Sequence, residues 1–111
     1  MMNTNTRLDN RQDVVFLVMY DITDDSTRNA VIELLSQNGC IRIQKSIFIG
    51  NLPFSRLLKI ENELKCIQQA YENDDSYIIV PLRKESVNAM KIIGKKIDLD
   101  IILRRKNLLF L

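Results

Sequence analysis

The chain has 111 residues, the size of one domain, and its 46% hydrophobic and 27% charged residues make a globular balance rather than a disordered one. Its formal charge of +2, from 16 Lys+Arg against 14 Asp+Glu, does not by itself point to nucleic acid. There is no histidine, which removes the commonest general base, the commonest metal ligand and every Ser/His or Cys/His nucleophile pair.

Any catalysis must therefore run on carboxylates, on Lys, Arg or Tyr, or on a metal held by oxygen ligands. Cys40 and Cys66 cannot complete a four-ligand zinc site without histidine, and they read as buried thiols rather than a disulfide. The first 13 residues are polar, with no apolar segment of the secretory kind. The longest apolar run, Val14 to Tyr20, is seven residues and too short to span a bilayer. Three glycines make neither GxGxxG nor a P-loop. The expectation is a cytoplasmic protein with no membrane partner.

Residues 1–13 read as a flexible extension, 14–82 as the folded core and 83–111 as a basic C-terminal segment. Val14–Tyr20 is a continuous apolar run, which predicts a strand buried on both faces and central in its sheet. Thr23-Asp24-Asp25-Ser26 places N-cap residues and acids at the start of a helix whose inner face is Ala30, Val31, Leu34 and Leu35. Asn38-Gly39 stops it. Ile41, Ile43, Ile47 and Ile49 then alternate with Arg42, Gln44, Ser46 and Phe48, which predicts one strand broken once by Lys45. Gly50-Asn51 marks a turn or a bulge, and a short partner strand that includes Leu52 follows. A second helix opens at Pro53 or Ser55, with Leu57, Ile60, Leu64, Ile67 and Tyr71 as its stripe, and ends at Asn73-Asp74-Asp75. Cys66 lies beside that stripe as a small buried hydrophobe. Tyr77–Leu82 is a further strand, and Pro81 places it at a sheet edge or marks its end. Val87, Met90 and Ile93 form a weak helical patch before the apolar end Leu108–Leu111.

The order strand, helix, strand, short strand, helix, strand is that of a split βαβ, ferredoxin-like α+β sandwich. Its two helices cover one sheet face. A central strand apolar on both faces then calls for a cover on the other, which a homodimer packed sheet to sheet would supply. The apolar end suits an edge strand added to its own sheet or a partner's. Charge is unevenly placed: residues 1–82 carry 8 basic and 11 acidic residues, residues 83–111 carry 8 basic and 3 acidic. Lys95, Lys96, Arg104 and Arg105 in this last segment are candidate phosphate contacts.

Asp21 ends the central strand just before a helix, where a carboxylate can serve as a loop cap or as a Mg²⁺ ligand. Doubled across a dimer axis, two such groups could hold one metal and activate water on a phosphodiester. Asp24 and Asp25 are explained by helix capping or by joining that metal. Arg28 is a surface arginine or a phosphate contact. Arg42, Gln44, Ser46 and Phe48 share a strand face that suits either a nucleic-acid backbone with a stacked base or a dimer interface. Tyr20 fits core or site wall.

Three segments together resemble the CRISPR-associated protein 2 family: Tyr20-Asp21-Ile22-Thr23-Asp24-Asp25 with Arg28; Arg42-Ile43-Gln44-Lys45-Ser46-Ile47-Phe48-Ile49-Gly50; and Ile79-Val80-Pro81-Leu82. The resemblance covers about residues 14–94. It implies a ferredoxin-like homodimer whose C-terminal strand joins the partner's sheet. It also implies Mg²⁺-dependent phosphodiesterase activity in some members, on single-stranded RNA or double-stranded DNA. Asp21 takes the place of the family's metal-binding aspartate, with Tyr20, Arg28, Arg42, Ser46 and Phe48 around it and Arg28 and Arg42 on phosphate. A second implied role is to bridge two copies of the CRISPR integrase subunit on the DNA to be captured. Two positions depart from the pattern: Ala30 stands where some relatives have a second arginine, and Ile49 where many have an acid. A ribonuclease toxin of the virulence-associated D type and a non-catalytic ferredoxin-like binding module are the other classes the residues allow.

Overall fold

A computed structural model of the protein describes residues 12–94. The elements are β1 (Asp13–Asp21), α1 (Asp25–Gln37), β2 (Ile41–Gln44), β3 (Ile47–Pro53), α2 (Phe54–Gln69), β4 (Ser76–Leu82) and the short α3 (Lys84–Ala89). The strands form one sheet in the order β2-β3-β1-β4, and every neighbouring pair is antiparallel. This is the α+β class and the element order expected. β1 is central, and β4 with Pro81 lies on an edge, where a missing N–H breaks no ladder on the outer side. Residues 1–11 and 95–111 lie outside the described residues. So do the expectations for residues 1–11 of the N-terminal extension, for the apolar end and its exchanged strand, and for Lys95, Lys96, Arg104 and Arg105; of the expected extension 1–13, Asp13 instead opens β1, opposite Pro53.

The main core lies between the sheet and the two long helices. β1 sends Phe16, Val18 and Tyr20 into it, β3 sends Phe48 and Leu52, α1 sends Val31 and Leu35, and α2 sends Leu57, Ile60 and Leu64. Ile32 and Leu34 flank the α1 contribution, whereas Ala30 is exposed, so the inner face of α1 is turned away from Ala30. α1 starts where Asp24, in extended backbone, accepts a hydrogen bond from the Thr27 N–H at 2.8 Å. It stops where Asn38 Nδ2 donates to the Leu34 carbonyl at 2.8 Å and Gly39 takes φ +88°. α2 begins directly after Pro53 and ends at Gln69, short of the expected Asn73–Asp75 stop. Tyr71 therefore leaves the helical stripe and is half-exposed.

The largest departure is in the middle of the chain. Residues 41–49 are not one strand but a tight hairpin, turning at Lys45-Ser46 between β2 and β3. Gly50-Asn51 is not a turn; both residues lie inside β3, opposite Phe16 and Val15. A Cβ built on Gly50 would sit 2.5 Å from Phe16 Cζ and 3.0 Å from Cys40 Sγ. The glycine is thus a window through which the Phe16 ring meets the backbone. Despite the fold-back, Ile41, Ile43 and Ile49 still share one face, because residues opposed across an antiparallel pair point the same way. A register shift between Arg42 and Gln44 takes up the extra residue.

The sheet face away from α1 and α2 is apolar and, among the described residues, only partly covered. Val87 of α3 covers Val15 and Ile49 at one end, with Leu17, Ile41, Ile43 and Leu82 packed around them. Ile78 on β4, opposite Met19 of β1, is 54% exposed. Among the described residues, no helix is long and apolar enough to cross a membrane.

The two thiols differ. Cys40 is buried and its pKa is pushed up to about 11 by desolvation, whereas Cys66 is exposed rather than packed beside the α2 stripe as expected. Because the thiolate is the nucleophile, alkylation of the native protein is expected to modify Cys66 and spare Cys40, with both modified after unfolding. Peptide mass spectrometry checks this; equal labelling of Cys40 in the native state would contradict it.

Candidate active site

β1 delivers Tyr20 and Asp21 to one end of the sheet, and the β2–β3 turn reaches the same end. The Tyr20 N–H donates to the Ser46 carbonyl at 3.1 Å. One carbonyl, that of Lys45, then collects three donors. Arg42 Nη2 donates to it at 2.7 Å, Arg42 Nε at 3.2 Å and the Tyr20 hydroxyl at 3.3 Å. The turn is thereby pinned to the central strand from both flanks. Tyr20 is nearly buried, and burial raises its hydroxyl above the ordinary tyrosine range, with the charges of Arg42 and Arg28 opposing part of that rise. At neutral pH it is a neutral donor.

Asp21 is exposed. It lies on the open-face side of β1, opposite Ser76 of β4 and in line with Leu17 and Met19. Among the described residues nothing hydrogen-bonds or ion-pairs with its carboxylate, and no group of three or more acidic or thiol side chains stands close enough to enclose a cation. Among the described residues this end of the sheet thus offers one unengaged carboxylate, a donor that suits a hard cation such as Mg²⁺ but is too little by itself to enclose one.

Arg28, in the first turn of α1, reaches back over the loop that follows Asp21. Its Nη2 donates to the carbonyls of Ile22 and Thr23, each at 3.1 Å, and Nη1 pairs with Asp25 Oδ1 at 2.7 Å. Asp24 Oδ2 accepts from Ser26 Oγ at 2.5 Å, Thr27 N at 2.8 Å and Thr27 Oγ1 at 3.0 Å. Those bonds hold the Asp24 carboxyl below the usual carboxylate range. Both acids flanking the helix start are therefore occupied locally, as capping predicts.

Tyr20, Asp21, Arg28, Arg42 and Ser46 thus gather around one end of the sheet. Phe48 does not join them at the surface. It is 1% exposed and shares a sheet face with Arg42 opposite it, but lies one strand further in from the edge, under the helices, with its ring centroid 6.3 Å from that of Tyr20. The stacked-base reading of Phe48 is corrected accordingly: its ring is the floor beneath Tyr20. Sequence reasoning missed Asp75, a buried acid at the start of β4 whose side chain accepts from the Thr23 N–H at 3.2 Å. Its only signal was an Asn-Asp-Asp run that also reads as a helix stop.

A small antiparallel sheet with its two long helices on one face, and an aspartate ending its central strand that is unengaged among the described residues, defines an α+β protein with an acidic strand-end site. The family model described as CRISPR associated protein Cas2 matches residues 14–90, and the chain belongs to that family. It is 37% identical over 79 residues to the CRISPR-associated endoribonuclease Cas2 of Korarchaeum cryptofilum, covering 71% of this chain and 83% of that protein. It is 33% identical over 79 residues, with the same two coverages, to the CRISPR-associated endoribonuclease Cas2 2 of a Synechocystis strain. Among solved structures it is similar to one described as the crystal structure of cas2, with a TM-score of 0.58 and 25% identity over 76% of this chain and 90% of that one. It is also similar to a hypothetical protein of Thermus thermophilus, with a TM-score of 0.57 and 27% identity over 64% of this chain and 83% of that one. Of the three classes the residues allow, the family match selects the first.

Proposed function

We propose that the protein is the small dimeric subunit of CRISPR spacer acquisition, a ferredoxin-like homodimer that cleaves phosphodiesters with Mg²⁺ held between two copies of Asp21. The substrate class is single-stranded RNA or double-stranded DNA. The observation that carries this reading is that Asp21, unengaged among the described residues, lies on the same sheet face as apolar residues that no other described residue covers. A second copy closing that face brings the two acids to a shared interface. The strand order β2-β3-β1-β4, with β3 between β1 and β2, supports the ferredoxin-like assignment.

In this reading each Asp21 contributes one carboxylate to the cation. Bound Mg²⁺ supplies charge neutralisation for the phosphate and a more acidic water. Arg42, exposed and anchored through Nε and Nη2, presents its remaining N–H groups to a phosphate oxygen. Arg28 does the same from the opposite side of the loop, while its bonded N–H groups keep the loop in place. Tyr20 fixes the turn that carries Ser46. The second role, bridging integrase subunits on DNA, is supported by the basic balance of residues 83–111, including Lys95, Lys96, Arg104 and Arg105.

The test is one substitution read two ways. Ile78→Glu places a charge on the open face without touching Asp21. It is expected to give a monomer in sedimentation velocity and, in the same preparation, to lose Mg²⁺-dependent cleavage of single-stranded RNA. A persistent dimer, or a monomer that cleaves at the wild-type rate, overturns the two-copy site.

A further inference from the structure

Asp75 has no place in the site described so far, yet it is a buried acid, 8% exposed, with no cationic partner among the described residues. An acid kept there without a counter-charge must be held by hydrogen bonds. Its Oδ1 accepts from the Thr23 N–H at 3.2 Å, and its Oδ2 accepts from the Tyr71 hydroxyl at 3.4 Å. Its own N–H donates to Asn73 Oδ1 at 2.8 Å, and Asn73 Nδ2 donates in turn to the Tyr71 carbonyl at 2.7 Å and the Gln68 carbonyl at 3.0 Å. The link from α2 to β4 is thus braced on itself. Tyr71 Oη also lies 3.0 Å from Thr27 Oγ1, so the same link touches the first turn of α1.

Thr23 is the second residue after Asp21. The peptide that joins Ile22 to Thr23 is gripped from two directions, with Asp75 taking the Thr23 N–H and Arg28 donating to the Ile22 carbonyl at 3.1 Å. Asp75 is also the chain neighbour of Ser76, the residue opposite Asp21 across the sheet. A single acid therefore ties together the strand end before the loop, the loop itself and the start of the edge strand.

We infer that Asp75 is a positioning residue for Asp21: by holding the Thr23 peptide it fixes the direction in which the Asp21 carboxylate leaves β1, and so sets how tightly that carboxylate takes a divalent cation. The inference deepens the proposed reading and rests on it for its metal. Residues that orient a ligand from behind typically change metal affinity by about 10- to 100-fold.

The experiment uses the full chain, with Mn²⁺ as an electron-paramagnetic probe of cation binding and amide hydrogen exchange at Thr23 as an independent readout. Asp75→Ala is expected to weaken Mn²⁺ binding about tenfold and to speed Thr23 exchange at least about tenfold. Asp75→Asn, whose amide oxygen still accepts from Thr23, is expected to stay within about threefold of wild type on both. Asp75→Glu keeps the charge but moves its oxygens by a methylene. Should alanine fail to fold, this variant decides in its place, with weaker Mn²⁺ binding and faster exchange expected. Wild-type Mn²⁺ affinity in the alanine or glutamate variant overturns the positioning role, as does unchanged Thr23 exchange. If the wild-type protein binds no Mn²⁺, it is the metal reading of Asp21 that falls. Thr23 exchange alone then decides: faster exchange upholds the brace and unchanged exchange overturns it.

Discussion

Replacing Asp21 with alanine or asparagine is expected to abolish Mg²⁺-dependent phosphodiester cleavage while leaving the protein folded. The Asp21 carboxylate is exposed and has no hydrogen-bond or ion-pair partner among the described residues, so its removal breaks no packing and orphans no partner. Asparagine keeps the shape but loses the charge that holds a hard cation. The rate should fall by at least about 100-fold, the upper end of what loss of an outer-shell partner costs, because here the ligand itself is gone. Gel-based cleavage of single-stranded RNA with and without EDTA measures this, with circular dichroism to show that the fold is retained. Cleavage at the wild-type rate by either variant would remove Asp21 from the mechanism. The proposed bridging role makes a separate demand: under that reading both variants should still co-purify with the integrase subunit, since the proposed contact relies on a basic surface rather than on a carboxylate.

The largest expected effect on stability comes from one added methyl group. Gly50→Ala drives a Cβ to within 2.5 Å of Phe16 Cζ and 2.9 Å of Phe16 Cε1. Phe16 is fully buried on the central strand, and real Cβ contacts do not reach those distances, so the ring or the strand must move. A cost of about 2–3 kcal/mol follows from the usual range for overpacked cores. Urea denaturation reads it directly. The shorter Phe16→Leu side chain should absorb part of the clash, making the double variant less destabilised than the two single changes added together. A Gly50→Ala protein within about 0.5 kcal/mol of wild type would show that the window is not needed.

The same glycine explains why one part of the fold was illegible in the sequence. Between Gly39 and Pro53, Gly50-Asn51 is the best turn signal, and Lys45-Ser46 is only a polar interruption. Alternation cannot separate a nine-residue strand from a hairpin folded at its centre, because both put the isoleucines on one face. Turn composition would have to arbitrate, and here it points to the wrong pair: the glycine serves a ring on the neighbouring strand, a contact between residues 34 positions apart. By contrast, the central strand, both long helices and the edge position of Pro81 rest on local patterns and capping chemistry, and these were legible.

The site divides along the same line. Asp21, Arg28 and Arg42 are marked by their place relative to strand ends and a helix start. Phe48 shares Arg42's face, but periodicity does not say which of two sheet faces the helices will cover, and that choice put its ring in the core. Asp75 was hidden because its partner, the Thr23 N–H, is 52 residues away. Cys66 sits one position from Ile67 on the α2 stripe, and a one-residue rotation of a helix is enough to carry a side chain from the boundary into solvent.

Among the described residues the sheet seals one face with its two long helices and leaves much of the other apolar beyond the patch that α3 covers, and that asymmetry has a mass-action consequence. Under the proposed pairing, part of the free energy of folding is drawn from a second molecule. The melting temperature should therefore rise with protein concentration. Dilution would separate the paired chains before it unfolded either one, and turnover per chain would fall while each chain kept its sheet and helices.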